Sequence, residues 1–197
     1  KGAGQRYLIQ HSAGSGKSNS IAWLAHQLVV LENDGKNIFD SIIVVTDRIN
    51  LDKQIRNTIR NFMQESSTVG WAEKSSVLKD LLASGKKIII TTIFKFPEIL
   101  KDISTENKDK NFAIIIDEAH SSQNGSLSAT MNIALSGSIS KDDDDLEDKI
   151  NKIIKGRKML KNASYYAFTA TPKNKTLEMF GVPVQHADGT IGHEPFH

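Results

Sequence analysis

The sequence predicts an α/β domain in which a mainly parallel sheet lies between two layers of helices. Three observations carry this. Short apolar runs rich in Ile and Val recur along the chain, helix-period stretches separate them, and the first run leads directly into a glycine-rich turn. A length of 197 residues suits one large domain or at most two small ones. Hydrophobic residues at 39% and charged residues at 24% rule out wholesale disorder, and 13 glycines and 4 prolines are too few for a linker composition.

The runs follow in order: Tyr7-Leu8-Ile9, Ser41 to Val45, Lys87 to Ile90, Phe112 to Ile116 and Tyr165 to Phe168. They are continuous rather than alternating, as strands buried on both faces require. Between them, Ile21, Leu24, Ala25, Leu28 and Leu31 fall on one helical face, as do Leu51, Ile55, Ile59 and Phe62. Val77, Leu78, Leu81 and Leu82 mark a further helix, closed by Gly85. Two stretches break the rhythm. One is the polar segment from Ser104 to Asn111. The other is Gly137 to Asp148, whose Asp142–Asp145 block reads as a solvated loop, followed by a basic, helix-like run from Lys149 to Lys161.

Composition excludes several chemistries. The absence of cysteine removes disulfide scaffolds, cysteine zinc sites, iron–sulfur clusters and thiol nucleophiles, and it suits a reducing cytosol. No apolar run approaches the roughly 18 residues of a membrane span. A net charge of +2 is too small to announce a nucleic-acid partner, yet it leaves room for a local basic patch. The chain starts on Lys1 rather than Met and ends on His197 without a stop-like cap, so it reads as a piece of a longer protein.

Three segments bear chemistry. The first is Gln10-His11-Ser12-Ala13-Gly14-Ser15-Gly16-Lys17-Ser18, between the first strand and the first helix. Successive backbone N–H groups of such a turn close around phosphate oxygens, aided by the positive end of the helix. Gly14, Ser15, Gly16, Lys17 and Ser18 are the nucleotide-binding candidates, with Lys17 on the β/γ-phosphates and the Ser18 hydroxyl on Mg²⁺. The general pattern has glycine where His11 stands. Alone, the segment also fits a glycine turn carrying an ordinary surface lysine. The second segment is Asp117-Glu118-Ala119-His120, at the end of the fourth run, where an open parallel sheet faces its ligand crevice. Asp117 would hold Mg²⁺ and Glu118 would polarise the attacking water, although an Asp-Glu pair also serves as a helix cap. A phosphate loop followed by an acidic strand end together point to a Mg²⁺–ATP site. The third segment is Phe168-Thr169-Ala170-Thr171-Pro172, in which Pro172 biases Thr171 to extended geometry, so that its hydroxyl can point into the crevice; a strand that simply ends in a turn fits the same residues.

The combination of Gly-Ser-Gly-Lys-Ser, Asp-Glu-Ala-His and Thr-Ala-Thr-Pro resembles motifs I, II and III of superfamily 2 helicases and translocases. Thr46-Asp47-Arg48 with Leu51 and Gln54, Thr91 to Phe96, Ser121-Ser122-Gln123, and Thr176 with Phe180-Gly181 bring the resemblance to the motor of the type I restriction enzyme R subunit. That family usually carries histidine at the position of His11. Ser121 stands where it often has arginine. The resemblance spans about residues 5 to 197.

It implies a RecA-like P-loop NTPase fold, a three-layer sandwich, with residues 1–197 forming the first of two motor domains. Residues 136–161 would be a charged insertion and 182–197 a tail leading to the second motor domain. It further implies ATP-driven translocation of double-stranded DNA before cleavage by a separate nuclease domain. ATP and Mg²⁺ would be cofactors, methyltransferase and specificity subunits the partners, and the cytoplasm the compartment. Lys17, Asp117 and Glu118 would be catalytic; His120, Thr169 and Thr171 would couple nucleotide state to DNA; Arg48 and Thr92 would contact the DNA backbone. The isolated piece, without the arginine finger of a second motor domain, would be a weak ATPase. A stand-alone superfamily 2 helicase and a nucleotide-dependent switch module are the rival readings. His26 reads as an ordinary helix residue, Trp23 and Trp71 as core, and His186, His193 and His197 show no ligand-like spacing.

Overall fold

The computed structural model describes residues 2–12, 14–46, 57–59, 68–72, 75–92, 96–117 and 160–196. In chain order the elements are β1 (Arg6–Gln10), α1 (Lys17–Val29), β2 (Glu32–Asn33), β3 (Lys36–Asn37), β4 (Ser41–Thr46), β5 (Val69–Trp71), α2 (Ser75–Ala83), β6 (Ile88–Thr92), α3 (Phe96–Thr105), β7 (Phe112–Asp117), β8 (Ala163–Thr169), α4 (Asn174–Phe180), β9 (Val182–Gln185) and β10 (Ile191–Glu194). Six strands form one sheet in the order β1-β8-β7-β4-β6-β5, and every pairing within it is parallel. All six C-terminal strand ends therefore lie along one edge.

Alternation of side chains along each strand builds the three layers. Leu8, Ile43, Val45, Ile89, Ile114 and Ile116 face one side, where Leu78 and Leu82 of α2, Ile99 and Ile103 of α3, and Phe180 of α4 cover them. Ile42, Val44, Ile88, Ile90, Ala113 and Ile115 face the other, against Ile21, Ala22, Ala25 and Leu28 of α1. Strands β4 and β7 are buried at every position, which is why their runs carry no polar alternation. The predicted α/β class and the five predicted strands match this architecture.

Elsewhere the structure departs from the sequence reading. Trp23, read as core, is 57% exposed on α1, and Leu31 lies beyond the end of that helix, exposed. Val77 is also exposed, so the apolar face of α2 rests on Leu78 and Leu82. The break from Ser104 to Asn111 begins with the last two residues of α3 and continues as a turn, Lys110 N–H donating to Asn107 O. Within the stretch read as a tail, residues 182–194 form an antiparallel hairpin. Beyond it, Phe196 N–H donates to Leu8 O at 2.7 Å, beside β1 at the sheet edge. Of the helix expected from Leu51 to Phe62, only residues 57–59 are described, with Ile59 buried. The Asp142–Asp145 block and residues 149–159 of the basic run lie outside the described residues. No described helix is long and apolar enough to cross a membrane.

Candidate nucleotide site

Spatial order along the sheet differs from chain order, and that difference assembles the site. Strand β8 lies between β1 and β7. Three adjacent C-terminal ends thus deliver the glycine loop after β1, Thr169 on β8 and Asp117 on β7. His11 N–H donates to Thr169 O at 2.8 Å, and the Gln10 side-chain amide donates to Ala170 O at 3.4 Å. Both bonds anchor the start of the loop to β8.

The loop then turns through two left-handed glycines. Gly14 has φ 76° and Gly16 φ 89°, values at which any side chain is strained. A Cβ at Gly14 would meet nothing within 4 Å, so the requirement there is conformational rather than steric. Gly16 precedes α1, and its carbonyl accepts from Asn19 N–H at 2.9 Å and Ser20 N–H at 3.1 Å. No side chain caps this helix and no acid stands in its first turn. Its positive end is left to an external anion.

Lys17 and Ser18 open α1, both half-buried. The Lys17 ammonium reaches Asp117 Oδ1 at 2.7 Å, and the aspartate side chain is only 1% exposed. Asp117 Oδ2 and Thr169 Oγ1 are buried and have no hydrogen-bond partner among the described residues. Unsatisfied buried oxygens beside a cation and an uncapped helix end are the complement of a phosphate–Mg²⁺ group: acceptors for metal-bound water, donors for phosphate oxygens. Among the described residues no group of three or more His, Asp and Glu could hold a metal. A divalent ion here would take most of its ligands from phosphate and water.

Of the predicted site residues, the fold brings together Gly14, Ser15, Gly16, Lys17, Ser18, Asp117 and Thr169. Thr171 lies just past β8 and is exposed. Thr92 ends β6, paired in register with Thr46 at the end of β4, on the same edge but on the far side of β7. Glu118, His120 and Arg48 lie outside the described residues. The sequence reading left three participants without a role: Ser12, Ser20 and the His11 ring. Ser15 Oγ lies 2.6 Å from both His11 Nδ1 and Ser12 O, and His11 Nε2 lies 3.0 Å from Ser20 Oγ. The signal in the sequence was a histidine where the general phosphate loop has glycine, with serines four and nine positions on.

An all-parallel sheet with a phosphate loop after its edge strand and an acidic strand end two strands away defines a RecA-like P-loop ATPase domain. The description of the SWI2/SNF2 ATPase family matches residues 2–188, and the chain belongs to that family. It is 31% identical over 183 residues to the type I restriction enzyme HindI endonuclease subunit of Haemophilus influenzae, covering 88% of this chain and 16% of that protein. It is 29% identical over 171 residues to a Methanocaldococcus jannaschii protein named as the MjaIXP type I restriction endonuclease subunit, covering 84% of this chain and 13% of that one. The chain thus spans less than one fifth of either relative. Among solved structures, a nuclease-deletion mutant of the Type ISP restriction-modification enzyme LlaGI, in complex with a DNA substrate mimic, superposes with a TM-score of 0.50 at 16% identity, over 86% of this chain and 16% of that one. Mss116p bound to single-stranded RNA and AMP-PNP gives 0.51 at 14% identity, over 89% of this chain and 34% of that one. The resemblance to the restriction-subunit motor and the expected helicase-type fold both agree with these matches.

Proposed function

We propose that this chain is the ATP-binding half of a double-stranded DNA translocase within a type I restriction endonuclease subunit. The observation that supports it best is the convergence of Lys17, Asp117 and Thr169 on one sheet edge, under a loop whose backbone leaves a helix N-terminus open. In this reading Gly14 to Ser18 bind the phosphates, and Ser18 and Asp117 hold Mg²⁺. That ion, when bound, neutralises charge developing between the β- and γ-phosphates. Lys17 leaves Asp117 for the phosphates, and Glu118, next in the chain, orients the attacking water. His120, Thr169 and Thr171 relay nucleotide state along the strand ends toward the side where Arg48 and Thr92 contact the DNA backbone. A methyltransferase, a specificity subunit and a nuclease domain elsewhere in the protein complete the system, in the cytoplasm.

The test is Mg²⁺–ATP turnover by the intact parent protein with its methyltransferase partners, with and without unmodified duplex DNA. Turnover should rise strongly with DNA and disappear in Lys17→Ala. Nucleotide binding without DNA-stimulated turnover would leave a nucleotide switch and remove the motor.

A further inference from the structure

We infer that His11 is a positioning residue that braces the phosphate loop through a directed chain of hydroxyls and is held as the Nδ1–H tautomer. The inference rests on the nucleotide-binding reading of this loop. It follows from counting protons. Ser15 Oγ lies 2.6 Å from Ser12 O and 2.6 Å from His11 Nδ1. A carbonyl only accepts, and a hydroxyl has one proton to give. At 2.6 Å both contacts need a proton between the heavy atoms. Ser15 must therefore donate to Ser12 O, and the second proton must sit on His11 Nδ1 and point at Ser15 Oγ. In the neutral ring Nε2 is then an acceptor, so Ser20 Oγ, 3.0 Å away, donates to it.

The chain runs Ser20 O–H to His11 Nε2, His11 Nδ1–H to Ser15 Oγ, and Ser15 O–H to Ser12 O. It ties the first turn of α1 to Ser12, ahead of the glycine turn, and to Ser15, between its two glycines. His11 is itself fixed to β8 through its backbone bond to Thr169 and lies beside the Phe168 ring, with centroids 6.3 Å apart. Gly14 and Gly16 give this turn the largest conformational freedom of any residue type. A cross-brace at Ser12 and Ser15 removes that freedom before nucleotide arrives, so binding need not order the loop.

The test is ADP binding by the full chain, measured calorimetrically, in wild type, His11→Ala, His11→Asn, His11→Gln and Ser20→Ala. The asparagine amide can place a donor where Nδ1 stands; the glutamine amide reaches only the Nε2 position. His11→Ala should weaken ADP binding roughly tenfold, as loss of two hydrogen bonds implies. His11→Asn should recover most of that loss, His11→Gln little, and Ser20→Ala should fall between. Ring ¹⁵N shifts of the neutral wild-type histidine should show Nδ1 protonated and Nε2 bare. Wild-type affinity in His11→Ala, rescue by Gln but not Asn, or an Nε2–H ring would each overturn the inference alone. Failure of the wild type itself to bind ADP would overturn it together with the nucleotide reading.

Discussion

Asp117 and Lys17 are separated by 99 intervening positions, and the pairing that joins them places a carboxylate almost wholly out of water. Such a pair contributes little to net stability, because desolvating both ions offsets their attraction. Removing one member is another matter, since the remaining charge is stranded. Lys17→Ala should therefore do two separable things. It should abolish nucleotide binding, and it should destabilise the nucleotide-free protein by about 2 kcal/mol, less than for a fully buried pair because Lys17 keeps some solvent access. Adding Asp117→Asn to Lys17→Ala should return most of that stability and none of the binding. Urea midpoints of the two single variants and the double variant check this. Additive losses would show that the pair is not coupled.

At the scale of elements, strands buried on both faces were legible because nothing polar interrupts them: β4, β6 and β7 are read almost to their ends. The short pieces were not. Strand β5 is three residues with a glycine at its centre, and β2 and β3 are two exposed residues each around Asp34-Gly35, without apolar alternation to mark them. The β9–β10 hairpin turns at Asp188-Gly189 with the same lack of flanking pattern. Helix α3 carries Pro97 in its first turn, where the missing N–H costs no intrahelical bond, and it is held by the burial of Ile99, Leu100 and Ile103. The site was legible as motifs and not as geometry, because the ion pair and the loop anchors depend on β8 inserting between β1 and β7. On β8 itself, Tyr165 and Tyr166 point to opposite faces, and burial raises the pKa of both phenols, Tyr166 to about 12, with the neighbouring Tyr7 ring adding to the effect on Tyr166. An unfolded tyrosine ionises near 10. Above that pH the unfolded chain holds fewer protons than the folded one, so stability falls as pH rises toward 12 and is unaffected by these groups below 10. Tyr166→Phe should flatten that alkaline decline, and denaturant midpoints from pH 8 to 12 measure it.

Across the whole molecule, the sheet edge divides in two. Strands β1, β8 and β7 carry the nucleotide candidates; β4 and β6 carry the ends from which Arg48 and Thr92 are proposed to reach DNA. In the proposed reading, one sheet connects a site that changes charge on hydrolysis to a surface that grips a polyanion. In that reading the described residues supply phosphate and metal binding, and not the whole of catalysis. An arginine that stabilises the transferring phosphoryl group is worth about 10³ to 10⁵ in turnover, and in the resembling motors a second domain delivers it. This chain alone should thus bind Mg²⁺–ATP, lose that binding in Lys17→Ala, and turn over far below about one per second even with duplex DNA present. Steady-state phosphate release by the isolated chain decides the matter. A DNA-stimulated rate near one per second would mean that every catalytic group lies within these 197 residues, and the split-site arrangement would have to be abandoned.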